Sequence, residues 1–247
     1  MSHFAVILPA AGRSSRFGGK EKKPFALLDG RAVWLRTVEL FITRNDVCQT
    51  LLVVAPEDRE LFRTRYAPNI AFLDVQVVEG GSERFESVAN ALAKLKDEVE
   101  FIAVHDAVRP CVGTALIDAV FQKATATGAA MLGVPVADTL KRVDGQKMVK
   151  ETLSRQGLWL AQTPQVFRRD WMVEAYANRG KLGKEITDDA QLIEAAGHAV
   201  HVVDGSPSNI KITTQSDLLL AKAILQSRPA PKRPGPSHPF AEEEMWR

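Results

Sequence analysis

Short apolar runs rich in Val and Ile recur along the chain, at Phe4 to Leu8, Thr50 to Ala55, Asp74 to Val78, Phe101 to Val104, Ala130 to Val136 and Val200 to Val203. Several are apolar almost without alternation, the pattern of strands covered by helices on both faces of a parallel sheet. Between them the apolar positions switch to helical spacing, at Val33 to Thr43, Glu57 to Tyr66, Glu83 to Leu95, Ala115 to Thr127, Asp170 to Ala177, Asp188 to Ala196 and Ser216 to Gln226. Strands alternating with helices of this length form right-handed βαβ units, so the pattern predicts an α/β fold with a doubly wound, mostly parallel sheet. Ligands in such sheets bind beyond the carboxyl ends of the strands, which directs attention to the loops that follow each strand.

Two stretches depart from the alternation. From Asp138 to Ala161 short alternating pieces flank Asp144-Gly145, a hairpin signal, and predict a β-arm projecting from the main sheet. A lone hairpin is marginal in water, so such an arm calls for something to pack on, most simply a second copy of the chain. The last segment, 227–247, holds Pro229, Pro231, Pro234, Pro236 and Pro239 and reaches Glu242-Glu243-Glu244 near its end. It cannot build a core and reads as a disordered tail, leaving 1–226 as one domain with the arm (about 138–161) inside it.

Composition narrows the class. The chain has 247 residues, 45% hydrophobic and 25% charged, the proportions of an ordinary globular protein rather than a disordered or disulfide-stapled one. Lys+Arg 32 against Asp+Glu 30 leaves a net +2, which makes no case for nucleic acid as a partner. Cys48 and Cys111 stand alone without metal-ligand spacing and read as reduced thiols, so a cytoplasmic setting is expected. Phe4 to Leu8 is too short for a signal segment, and no apolar stretch nears the roughly 18 residues of a membrane span, so no membrane association is expected.

Three strand-end loops carry the candidate chemistry. The first strand runs into Leu8-Pro9-Ala10-Ala11-Gly12-Arg13-Ser14-Ser15-Arg16-Phe17-Gly18-Gly19, followed by Lys20, Lys22 and Lys23. Small residues there let backbone N–H groups approach phosphate oxygens while Arg and Lys supply charge. The spacing is neither a Walker A loop nor GxGxxG, and taken alone it also reads as a solvated basic turn. A second glycine turn, Gly80-Gly81-Ser82-Glu83-Arg84-Phe85-Glu86-Ser87-Val88, follows another strand, with Ser82 a candidate helix N-cap and with Arg84 and Ser87 on one face. The third loop is Val104-His105-Asp106-Ala107-Val108-Arg109-Pro110. There a strand-end Asp106 suits a hydroxyl or a hydrated Mg²⁺, Arg109 suits a phosphate or a surface ion pair, and His105 reads as a partly buried, hydrogen-bonded side chain.

Joined with Gln162-Thr163-Pro164-Gln165-Val166-Phe167, Thr187-Asp188-Asp189-Ala190 and Asn209-Ile210-Lys211-Ile212-Thr213, these loops resemble those of the 2-C-methyl-D-erythritol 4-phosphate cytidylyltransferases. That CTP-using family serves the non-mevalonate isoprenoid pathway, and the resemblance runs from residue 4 to about 226, arm included. It implies a Rossmann-like nucleotidyltransferase fold and an expected role for each position. Ala10, Ala11, Gly12, Gly81, Ser82 and Ser87 would hold the cytidine, with Ala107 near the ribose. Arg16 and Lys23 would hold the triphosphate as the catalytic cations, with Mg²⁺ carried mainly by the phosphates and Asp106 as a candidate ligand. Asp106, Arg109, Thr187 and Lys211 would line the pocket for the polyol phosphate, while Thr139, Arg155 and Thr163 would reach in from the arm region of a partner subunit, making a homodimer.

Two positions depart from the family's pattern. Lys22-Lys23-Pro24-Phe25 stands where Pro-Lys-Gln-Phe or Pro-Lys-Gln-Tyr is usual. Counting from Arg16 gives Lys23 the key position, with Lys22 and Lys20 as alternatives because the shifted proline alters backbone freedom. Phe17 replaces the common Met, an apolar exchange.

The chain offers no Ser-His-Asp, Cys-His or HExxH arrangement. None is needed for the implied reaction, in which an acceptor phosphate attacks the α-phosphorus of CTP and pyrophosphate leaves; alignment and charge neutralisation suffice. A cytidylyltransferase for another polyol phosphate, such as ribitol 5-phosphate, would use the same residues. A glycosyltransferase would need an Asp-x-Asp at a strand end, whereas Asp106 is followed by Ala107 and Val108. A nucleotide-binding regulator would bind CTP without turnover.

Overall fold

The computed structural model describes residues 2–12, 17, 22–181 and 185–228. The chain begins with β1 (Phe4–Pro9), a short ribbon of β2 (Leu27–Leu28) and β3 (Arg31–Ala32), then α1 (Val33–Ile42), β4 (Val47–Val54), α2 (Arg59–Thr64), α3 (Ala67–Phe72) and β5 (Val75–Glu79). It continues through α4 (Arg84–Leu92), β6 (Phe101–Val104), α5 (Thr114–Thr127), β7 (Ala129–Pro135), β8 (Leu140–Val143) and β9 (Val149–Leu153). The last elements are β10 (Trp159–Arg168), α6 (Arg169–Ala177), α7 (Asp189–Ala195), β11 (His201–Asp204) and α8 (Gln215–Gln226). The expected α/β fold is present: a seven-stranded sheet in the order β11-β7-β10-β6-β1-β4-β5, parallel except for β10.

The apolar runs explain the layers. Phe4, Val6 and Leu8 of β1 point into one core with Trp34, Phe41 and Leu52, and Ala5 and Ile7 into the opposite one with Leu51, Val53 and Val104. Both faces are buried, so β1 needs no polar alternation. Edge strand β5 is less uniformly apolar, with Gln76 and Glu79 exposed and Val75 and Val78 buried.

The pattern misled in three places. β10 enters the sheet antiparallel between β6 and β7, where the pattern gave no strand after Ala161, because its buried side chains Gln162, Thr163 and Gln165 are polar while its Trp159 and Leu160 face outward. The single helix expected over Glu57 to Tyr66 is shorter, and α3 follows it with Pro68 in its first turn, a residue that starts helices but cannot continue one. The arm forms as β8 and β9 in antiparallel register from Leu140↔Leu153 to Val143↔Val149, but Asp144-Gly145 is not a two-residue turn. The connection runs to Met148, with the Asp144 carboxylate accepting from the Gln146 and Met148 amides and Lys147 in the left-handed region at φ 64.

Chain order places the site. From β1 the chain moves to β4 and β5 on one side, then returns to β6 on the other, so the sheet's direction of progress reverses between β1 and β6. The crevice at that switch lies beyond the carboxyl ends of the strands. Backbone bonds carry the ladder into the loops there, with Ala10 N–H donating to Val53 O (2.7 Å), Gly80 N–H to Val54 O (2.8 Å) and His105 N–H to Ile7 O (2.9 Å). A third apolar cluster of Phe17, Leu28, Val33, Val108, Cys111, Ile212 and Ala221 backs the crevice, so Phe17 acts as an apolar anchor.

Candidate active site

A cleft of about 400 Å³ opens at the switch point. One wall is made by the loops after β1 and β5, where Ala10, Ala11, Gly12, Gly81, Ser82 and Ser87 all face the cavity. Gly80 makes that wall possible: a Cβ there would lie 2.8 Å from both the Ala11 Cβ and the Ser87 Oγ. The Ser87 hydroxyl accepts from Gly81 N–H (3.2 Å) and donates to Glu83 O (3.1 Å), fixing the glycine turn on the start of α4. The N-cap is Glu83, one residue later than expected, because Glu86 sits at its third position and completes a capping box. The Glu86 carboxylate also accepts from the Ser82 amide (2.8 Å) and hydroxyl (2.6 Å), so Ser82 is a held wall residue rather than a cap.

Opposite this wall, Lys23-Pro24-Phe25 forms one 3₁₀ turn, with Lys23 and Pro24 lining the cleft. Lys22 points away: its ammonium lies 2.8 Å from both oxygens of Asp58 and 3.0 Å from Glu57. Of these two lysines, Lys23 is the one at the cavity.

The floor is a buried charge cluster at the end of β6. Asp106 is 6% exposed. Its Oδ2 faces Lys211 Nζ at 3.0 Å and Arg109 Nε at 3.1 Å, and its Oδ1 faces Arg84 Nε at 3.9 Å. Burial opposes ionisation, but Lys211, Arg84 and Arg109 outweigh it and hold the carboxyl well below the usual carboxylate range. Arg84 is itself held by Asp189 at 2.6 Å, and Asp189 accepts a second hydrogen bond from the Tyr176 hydroxyl. Burial opposes the Arg84 charge, but Asp189 and Asp106 together outweigh it and raise Arg84, while burial and the Asp189 carboxylate push the Tyr176 phenol up.

His105, fully buried, locks the backbone around this floor. Its Nε2–H donates to Arg109 O (3.1 Å), a group that can only accept, so Nδ1 accepts from the Thr163 hydroxyl (3.0 Å). Thr163 Oγ1 in turn accepts from Asp106 N–H (3.1 Å). Burial lowers the His105 pKa to about 4, leaving the ring neutral near pH 7.

The expected residues divide as follows. Ala10, Ala11, Gly12, Lys23, Gly81, Ser82, Ser87, Asp106 and Lys211 line one cavity. Ala107 is buried beneath it, its carbonyl accepting from the Thr37 hydroxyl. Arg109 is tied to Asp106 and to the Asn209 carbonyl (2.7 Å), and Thr163, expected to reach in from a partner subunit, is instead buried in its own copy, because its hydroxyl bonds its own His105 ring and Asp106 amide. Thr187 is exposed and bonded to Gln191, and Thr139 and Arg155 are exposed on the arm segment, outside the cavity lining. Arg16 and Lys20 lie outside the described residues.

Sequence reasoning did not find the supports. Asp189 lies in a quoted motif, but nothing local pairs it with Arg84, 105 residues away, and Tyr176 carries no signal at all. Asn209, fully buried, donates to Gln162 Oε1 (3.2 Å) and Thr163 O (2.9 Å), joining the Lys211 loop to β10. The metal expectation for Asp106 also changes, because the charged groups within reach of its oxygens are cations. Among the described residues no group of three His, Cys, Asp or Glu could hold a metal ion.

Comparison with known proteins points one way. The family model for 2-C-methyl-D-erythritol 4-phosphate cytidylyltransferase matches residues 4–227. The enzyme of that name from Rhodopirellula baltica is 42% identical over 233 residues, covering 90% of this chain and 94% of the relative. The one from Solibacter usitatus is 41% identical over 236 residues, covering 92% and 97%. Among solved structures, the Francisella tularensis cytidylyltransferase superposes with a TM-score of 0.78 at 30% identity, covering 90% of this chain and all of that one (100%).

Proposed function

The chain belongs to the 2-C-methyl-D-erythritol 4-phosphate cytidylyltransferase family, and from that premise we infer how its cleft moves CMP from CTP onto 2-C-methyl-D-erythritol 4-phosphate. It is a nucleotidyltransferase, and the reaction releases pyrophosphate and forms 4-diphosphocytidyl-2-C-methyl-D-erythritol. The observation that carries the reading of the site is the opposition of a glycine-built wall to a floor of clustered cations within one cavity.

Cytidine rests on the wall of Ala10, Ala11, Gly12, Gly81, Ser82 and Ser87, with backbone donors reading the pyrimidine and Ala107 beneath the ribose. Lys23 and Arg16 hold the triphosphate. The acceptor phosphate sits on Lys211 with Arg109 beside it, Asp106 holding these two cations in place, and Thr187 is added from the exposed segment before α7. An oxygen of the acceptor phosphate then attacks the α-phosphorus; the new P–O bond forms as the bond to the bridging oxygen of the β-phosphate breaks, and pyrophosphate leaves in line. A phosphate monoester is a competent nucleophile near neutral pH, so no side chain takes a proton, and what the chain supplies is alignment and positive charge. Asp106 faces three cations and does not fit a protein-held divalent cation; Mg²⁺ would enter with the triphosphate and would supply neutralisation of its charge.

The functional unit is a homodimer joined through the arm, in which Thr139 and Arg155 of one copy serve the site of the other, while Thr163, buried against its own His105 and Asp106, serves its own copy. Exposed apolar side chains support this: Val143, Met148 and Val149 on the arm and Leu158, Trp159 and Leu160 beside it are 41–59% exposed, more than a stable hairpin leaves to water. A cytoplasmic setting is supported by two unpaired cysteines. No helix among the described residues is long and apolar enough to cross a membrane.

Subunit mixing tests the shared site. Lys23→Ala and Arg155→Ala are each expected to be about 10²-fold slower alone, and co-refolding them is expected to restore a large share of wild-type activity, because half of the sites in mixed dimers carry neither change. Failure to restore activity, with dimers shown by sedimentation, would contradict the cross-subunit role of Arg155.

A further inference from the structure

The turn that carries Lys23 is pinned at both ends to one helix. Before it, the Lys22 ammonium bonds both oxygens of Asp58, a carboxylate only 8% exposed, and reaches Glu57 as well. After it, Phe25, 4% exposed, packs its ring 5.5 Å from Phe62. Asp58 is the N-cap position of α2 and Phe62 lies four residues on, about one turn along the helix. Between the two pins the turn closes on itself, with Phe25 N–H donating to Lys22 O at 3.0 Å, and Pro24 removes a backbone freedom. Lys23 stands between a polar and an apolar anchor, with its side chain at the cleft.

We propose that Lys22 is a positioning residue for the transfer reaction: its bond to Asp58 fixes the turn that aims Lys23 at the triphosphate. This rests on the reading of Lys23 as a phosphate-binding cation. The departure from the family's usual Pro-Lys-Gln order thereby acquires a physical sense. A proline ahead of the key lysine would stiffen the chain covalently; here proline follows the lysine, and an ion pair to a nearly buried carboxylate secures the side that proline leaves open. Lys22 does not touch substrate, because its ammonium is held on Asp58.

The test compares Lys22→Met, Lys22→Arg, Asp58→Asn and Lys23→Ala in the full chain, each checked for folding by thermal melting, with kcat and both KM values measured. Misplacement of a phosphate-binding cation costs rate steeply, so Lys22→Met is expected to lower kcat about tenfold while leaving KM for the polyol phosphate unchanged. Asp58→Asn is expected to do the same, and Lys22→Arg to retain most activity. Lys22→Met added to Lys23→Ala is expected to cost nothing further, since the pin then has nothing to aim; a general loss of structure would instead multiply. Wild-type kcat in Lys22→Met, or an additive loss on the Lys23→Ala background, overturns the proposal. So does full activity in Asp58→Asn alongside a loss in Lys22→Met, which would make Lys22 a direct ligand. Full activity in Lys23→Ala would instead overturn the underlying reading of the site.

Discussion

Acidification should unlock the floor of the site through His105. The ring is fully buried, with Nε2–H committed to Arg109 O and Nδ1 to the Thr163 hydroxyl. A proton on Nδ1 would face a hydroxyl whose oxygen already accepts from the Asp106 amide, so Thr163 would have to redirect its own hydrogen. Burial is the main reason the folded ring resists protonation; the nearby Asp106 charge works against that resistance and the Arg109 charge with it. The folded pKa is about 4 and the unfolded value about 6.5, so the unfolded chain binds the extra proton first as pH falls. The neutral ring's contribution is therefore complete above pH 6.5 and is lost as pH drops toward 4. Integrated from pH 7 to 4.5, the linkage amounts to about 2 kcal/mol. Urea unfolding at half-unit pH steps reads it. Relative to wild type, His105→Gln, whose amide can still donate to Arg109 O, should show a shallower decline over that interval by about that amount. Equal slopes in the two proteins, or an imidazole resonance of His105 titrating near 6.5, would refute the reasoning.

Other perturbations separate the parts of the site. Lys211→Met should lower kcat/KM for the polyol phosphate by about 10²-fold or more while costing at most about 1 kcal/mol of stability, since that side chain is 39% exposed and Asp106 keeps two arginine partners. Steady-state kinetics with a parallel urea titration checks both halves, and a loss of stability without a loss of rate would contradict the assignment. Gly80→Ala places a methyl 2.8 Å from Ala11 Cβ and Ser87 Oγ, so it should raise KM for CTP and cost about 1–3 kcal/mol of stability. An unchanged KM for CTP would show that the wall formed by these loops does not hold the nucleotide.

What the sequence made legible follows from where its signals are local. β1, β4 and β6 are buried on both faces, so their apolar runs announce both the strands and the parallel sheet. The glycine loop after β5 and the acid at the end of β6 were equally readable, because close backbone approach and a strand-end carboxylate each leave a mark within a few residues. β10 escaped because Gln162, Thr163 and Gln165 are buried for their hydrogen bonds to neighbouring loops, and an apolar pattern cannot report that. The choice between Lys22 and Lys23 depended on a carboxylate 36 positions away, and the Arg84–Asp189–Tyr176 chain on contacts no spacing rule encodes. The arm's strands could be read from alternation, but its turn could not, since Asp144 organises a longer loop around its own carboxylate.

The central claim is that this cleft joins two phosphorylated substrates and accepts 2-C-methyl-D-erythritol 4-phosphate. Purified protein incubated with CTP and that polyol phosphate, followed by pyrophosphate release and by ³¹P NMR, tests it most directly, with ribitol 5-phosphate as the competing acceptor. Stoichiometric pyrophosphate together with a new diphosphate diester signal, and a much lower rate on ribitol 5-phosphate, is the predicted result. Preferred turnover of ribitol 5-phosphate, or CTP binding with no pyrophosphate from either acceptor, would contradict it.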